Sequence, residues 1–125
     1  MILDFNNVTL EMVRGDTFVL PLELNCGTRE NFVRHTIGDN EYLYVGIMKY
    51  NQSFECAEIR CMINKDSEKD TNGNVMLHLL PEHTVNLDPG KYYLTVKFSD
   101  GANIQTLVND MLFFVTGSPV SPIMR

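Results

Sequence analysis

The chain has 125 residues, one domain's worth, of which 44% are hydrophobic and 21% charged. That balance excludes a disordered tail and a membrane protein, and is expected of a soluble globular fold that buries about two-thirds of its unfolded surface. The formal net charge is −6, with acids in excess in both halves, so nucleic acid is not an expected partner, because phosphate contacts need a basic face.

Met1-Ile-Leu-Asp-Phe5 opens the chain. Asp4 stands where a signal peptide needs basic residues and no apolar stretch follows, so no secretion signal and no bilayer span are expected. Val8 to Val13 alternates as a first strand and breaks at Arg14-Gly15-Asp16. The tripeptide spells the integrin motif, but its place between two strands reads as a turn, with Gly15 as the bend and Asp16 as a turn hydrogen-bonding residue. Phe18, Leu20, Leu22 and Leu24 make the next apolar face, and Pro21 predicts one unpaired side or a bulge. Residues 25–41 read as a long polar, irregular connection. Leu43, Val45 and Ile47 then alternate against Tyr42 and Tyr44, and a strand from Cys56 to Ile63 turns Ala57, Ile59, Cys61 and Ile63 inward.

Residues 64–74 predict a solvated hairpin loop closed by Asn72-Gly73. Val75, Leu77 and Leu79 form another inner face, and a crossover with one helical turn starts at Pro81. Tyr92, Leu94, Val96 and Phe98 follow, and a last strand runs from Ile104 to Thr116 with a bulge near Asn109-Asp110. The remainder, 117–125, reads as a tail. Seven strands without helical periodicity predict an all-β, antiparallel, immunoglobulin-like sandwich in a single domain spanning about 8–116. The expected core includes Leu20, Leu22, Val45, Ile47, Ile59, Leu77, Leu79, Tyr92, Leu94 and Val96.

Leu87-Asp-Pro-Gly-Lys-Tyr92 has the layout of a tyrosine corner, in which the phenol bonds back to upstream backbone. No Cys follows this Tyr at the antibody spacing, so no disulfide pins the sheets. Cys26, Cys56 and Cys61 are odd in number, and Cys56 and Cys61 on one strand would sit ~16 Å apart, beyond disulfide reach. Three reduced thiols are expected. Glu68-x-Asp70-x-Asn72-Gly73 imitates the start of a calcium loop, but Leu79 stands at the bidentate position. His35, His78 and His83 have no metal-binding spacing, and no nucleophile or phosphate-loop motif is present. No catalytic, cofactor or metal site is therefore expected, and the chain reads as a non-enzyme.

Three stretches, Val13-Arg-Gly-Asp-Thr-Phe-Val-Leu-Pro-Leu22, Tyr44-Val-Gly-Ile-Met-Lys49 and Leu79-Leu-Pro-Glu-His-Thr-Val-Asn-Leu-Asp-Pro-Gly-Lys-Tyr92, together with the final strand ending Phe113-Phe-Val-Thr116, carry a family likeness. The chain resembles the small immunoglobulin-like structural domains of tailed-bacteriophage virions, similar to the N-terminal domains of baseplate upper proteins. They share a Gly-Asp-Thr lead into the second strand and a crossover ending Gly-x-Tyr. The 25–41 connection is longer than in that pattern and the cysteines lie outside it. The resemblance implies a virion component, folded in the host cytoplasm, that docks on the tail, baseplate or neck through other virion proteins. A capsid decoration protein and a carbohydrate-binding sandwich module are the alternatives. A sugar binder should show Trp or a flat aromatic platform, and the chain has no Trp, so a host glycan is an unsupported partner.

Contact residues are expected where apolar side chains have no place in the alternation. These are Ile2, Leu3 and Phe5 at one end, Phe32, Val33 and Ile37 in the 25–41 segment, and Val120, Ile123 and Met124 in the tail. Removing 1–5 and 118–125 is expected to leave stability intact. Tyr42 and Tyr44, with Phe114, face outward, either as a contact surface or beneath the 25–41 loop.

Overall fold

Period-2 alternation drives the architecture: each strand turns one apolar row toward a shared core. The computed structural model describes residues 1–4, 10–28 and 31–117, apart from the side chains of Asp4, Thr28 and Phe32. The strands are β1 (Ile2–Asp4), β2 (Leu10–Val13), β3 (Phe18–Thr28), β4 (Asn31–Arg34), β5 (Tyr42–Met48), β6 (Ile59–Ile63), β7 (Val75–Leu79), β8 (Gly90–Ser99) and β9 (Ile104–Thr116). One helical turn, α1 (Pro81–Thr84), lies in the crossover from β7 to β8, as expected.

Two sheets result. One has the order β1-β3-β4 with β7 also on β3, and the other the order β2-β9-β8-β5-β6. The strands thus divide as in an immunoglobulin-like sandwich, with no disulfide among the described residues. Nine described strands replace the expected seven. The additions are β1, too short to show a pattern, and β4, which lies inside the segment read as irregular. β3 runs on to Thr28 and turns back onto Asn31–Arg34. Gly27 makes the close approach: its φ is +99°, and a Cβ there would lie 2.3 Å from the Asn31 carbonyl oxygen. Backbone pairing holds this hairpin where alternation is weak.

The pairing is not wholly antiparallel. β2 runs parallel to β9, Leu10 opposite Phe113 and Val13 opposite Thr116. The cause is a division of labour: β1 covers an edge of β3 while β2 covers the edge of β9, so neighbouring segments shield both sheets. Among the described residues, the Phe18–Leu22 half of β3 pairs with β7 alone, which suits Pro21. The expected bulge sits at Asp110, φ +56°, where the β8–β9 register shifts beside Leu94 and Val96.

Leu22, Leu77 and Leu79 from one sheet meet Val45, Ile47, Leu94 and Val96 from the other, all buried, with Tyr92 and Ile59. Of the expected core only Leu20 is half-buried, packed against the rest. Phe18 stands edge-on to Phe113 across the sheets at 5.1 Å. The tyrosine corner forms: Tyr92 Oη donates to the Asp88 carbonyl at 2.7 Å. The strand expected from Cys56 starts only at Ile59. Phe54–Cys56 is a 3-10 turn whose Phe54 ring lies over Gly46, within 2.8 Å of where a Cβ would sit. That packing lifts the chain off the sheet, and the Glu58 N–H then joins the ladder at the Ile47 carbonyl. Cys56 is exposed, Cys26 and Cys61 are half-buried, and all three are free.

Candidate interaction surface

The outer face of the five-stranded sheet follows from its registers. Tyr44 lies opposite Met62 on one side and Lys97 on the other, Met48 opposite Tyr93, and Tyr93 opposite Leu112. Alternation that sends Leu43, Val45, Leu94 and Val96 into the core sends this second set outward. Met62 is 56% exposed, and Leu112 is exposed as well. Tyr42 and Tyr44 are half-buried, their rings 6.2 Å apart and tilted by 30°. Lys97 Nζ sits 4.7 Å from the centre of the Phe54 ring, a cation–π contact that covers the middle of the sheet.

Of the nine other expected contact residues, those whose side chains are described do not converge on this face. Leu3 and Ile37 are core residues, 8% and 4% exposed, which corrects their expected availability. Leu3 is drawn in because β1 pairs with β3, Leu3 opposite Leu24. Ile37 is drawn in by a pinned turn: Glu41 Oε1 accepts the Gly38 N–H at 2.7 Å and lies 2.8 Å from His35 Nε2, while the His35 ring stands edge-on to Phe98. Ile2 and Val33 are exposed but flank β3 in the other sheet, opposite Asn25 and Cys26. The Phe32 backbone pairs with Gly27. Phe5, Val120, Ile123 and Met124, like the Phe32 side chain, lie outside the described residues. Because β4 joins the smaller sheet, the described part of 25–41 does not cover Tyr42 and Tyr44.

A second feature of the outer face escaped sequence reasoning. Met48, Lys49, Tyr50, Asn51, Gln52, Tyr93 and Asp110 line a hollow of about 240 Å³. Tyr50 is 76% exposed, and its ring lies 6.4 Å from that of Tyr93 at 54°. Tyr50 belongs to the turn after β5, Tyr93 to β8 and Asp110 to the β9 bulge, so no local pattern joins them.

The remaining motifs are structural. Asp70 Oδ1 accepts the N–H groups of Asn72 and Asn74 at 2.9 and 2.8 Å, so the calcium-like segment closes its own turn. Among the described residues no group of three or more His, Cys, Asp or Glu could hold a metal ion, and no helix is long and apolar enough to cross a membrane. His83 lies in α1, and its Nδ1 accepts the Leu80 N–H at 3.1 Å. Burial pushes the Cys61 thiol up from its ordinary pKa, which keeps it protonated.

The Arg14-Gly15-Asp16 turn is tied to the crossover. Thr84, fully buried, accepts the Gly15 N–H and donates to the Asp16 carbonyl, each at 3.1 Å. The β2–β3 turn and the crossover therefore meet through one hydroxyl. Comparison with protein-family models, curated proteins and solved structures gives no match.

Proposed function

We propose that this protein is a non-enzymatic structural component of a tailed-phage virion, folded in the host cytoplasm, that docks on the tail, baseplate or neck assembly through protein contacts. The docking reading rests on the band of Met62, Tyr44 and Tyr42 on the outer face of the larger sheet, with Met62 exposed and the two tyrosines half-buried. Aromatic rings on a rigid sheet lose little entropy on association, and both aromatic and methionine side chains suit the centre of an interface. The occupant is another virion protein with a neutral or basic face, since this chain carries −6. The likeness to phage domains supplies the assembly.

Mass spectrometry and cryo-electron microscopy of purified particles from the encoding phage provide the test. The chain is expected in the particle at fixed stoichiometry, with Tyr44 and Met62 against a neighbour. Tyr44→Glu with Met62→Glu should block incorporation while the isolated domain stays folded. A chain absent from intact particles, or incorporated normally with both substitutions, overturns the proposal.

A further inference from the structure

We infer that the hollow between Tyr50, Tyr93, Asn51 and Asp110 is a binding site for a neutral saccharide, separate from the docking band around Tyr44 and Met62. Its walls are fixed by hydrogen bonds that leave several polar groups of the lining residues without a protein partner. Gln52 accepts the Lys49 N–H through Oε1 at 2.9 Å and donates through Nε2 to Glu58 at 3.0 Å. Lys49 Nζ is neutralised by Glu58 at 3.4 Å and Asp88 at 3.9 Å. The Asp110 N–H is held by Thr95 Oγ1 at 3.2 Å. The Asn51 amide, the Asp110 carboxylate and both phenol hydroxyls have no hydrogen-bond partner among the described residues.

Backbone and rings together shape the hollow. Asn51 and Asp110 both adopt left-handed backbone, φ +63° and +56°, which Asn and Asp take readily, one in the turn after β5 and the other at the β9 bulge, and both line the same hollow. The two tyrosine rings form an open angle rather than a stack, leaving a ring face for an incoming group.

The required chemistry is that of a sugar. A pyranose offers an apolar C–H face to an aromatic ring and hydroxyls that both donate and accept. Asn51 and the phenols can do both, and Asp110 accepts. A guanidinium would use only the acceptors and leave the donors of Asn51 and the phenols unpaired. The space, about 240 Å³, is of single-ring size. The missing tryptophan is thus answered by two tyrosines from separate strands and turns.

Titration of the full chain with methyl glycosides of glucose, galactose and N-acetylglucosamine, followed by amide shifts in heteronuclear NMR, tests this. At least one is expected to bind in the millimolar range, with shifts confined to residues 48–52, 93 and 109–112. Tyr50→Ala and Asp110→Ala should each weaken it by about tenfold. Because Tyr50 is exposed, its loss should leave the fold unchanged, which the remaining spectrum checks. Tyr44→Glu with Met62→Glu should leave the titration unchanged, so failure of docking and failure of sugar binding are separable. No shifts with any glycoside, or preferential binding of an arginine ester at these residues, overturns the inference.

Discussion

At the residue scale, Thr84 has the highest stakes for its size. It is 0% exposed and its one hydroxyl joins α1 to the β2–β3 turn by two bonds 68 and 69 residues apart in sequence. Thr84→Val keeps the shape and deletes the hydroxyl, leaving the Gly15 N–H and Asp16 carbonyl without it. Urea unfolding should show a loss of about 1–3 kcal/mol, more than a surface threonine would give. Leu94→Ala is expected to cost about 2–5 kcal/mol in the same assay, because Leu94 is fully buried between the sheets and leaves a cavity. Asp100 makes a pH-dependent contribution. Its carboxylate accepts the N–H of Asn103 at 2.7 Å and of Ala102 at 2.9 Å, and these bonds hold its pKa below the ordinary aspartate value. A depressed folded pKa stabilises above the unfolded value of about 3.9, and that stability is lost as pH falls through the folded value. Acidification through that window should lower Tm, and Asp100→Ala should flatten the slope.

At the element scale, β1 decides how the amino terminus behaves. It was expected to be free for a partner, yet Ile2–Asp4 pairs with Glu23–Asn25 and sends Leu3 into the core. Deleting residues 1–4 removes a buried leucine and uncovers an edge of β3. The cost should be about 1.5–3 kcal/mol by chemical denaturation. An unchanged midpoint would mean that β1 adds nothing to the isolated domain. The β3–β4 hairpin carries the same lesson. Its segment is polar and unpatterned, but Gly27 lets two backbones close to within bonding distance.

At the scale of the whole molecule, two sheets without a covalent pin hold together by aliphatic packing and the tyrosine corner. Dithiothreitol should therefore leave Tm unchanged. Alkylation followed by mass spectrometry should modify exposed Cys56 before half-buried Cys26 and Cys61, with Cys61 slowed further by its raised pKa. A single rigid sheet also presents both outer features, the Tyr44–Met62 band and the Tyr50–Tyr93 hollow, at fixed separation. Tyr42 and Tyr44 were readable as outward residues because alternation assigns faces strand by strand.

Alternation, turn chemistry and proline placement were enough to read the sandwich class, nearly all of the core, the tyrosine corner, the helical turn at Pro81 and the bulge at Asp110. All of these are set by interactions among residues close in sequence, or by the apolar face each strand must bury. Tertiary structure alone decided that β2 runs parallel to β9, that β1 and β4 exist, that Leu3 and Ile37 are core, and that Tyr50, Tyr93 and Asp110 meet. Those outcomes depend on which backbone edges find partners and which turns are pinned by remote hydrogen bonds. A hydrogen bond between distant segments leaves no periodic trace in either one.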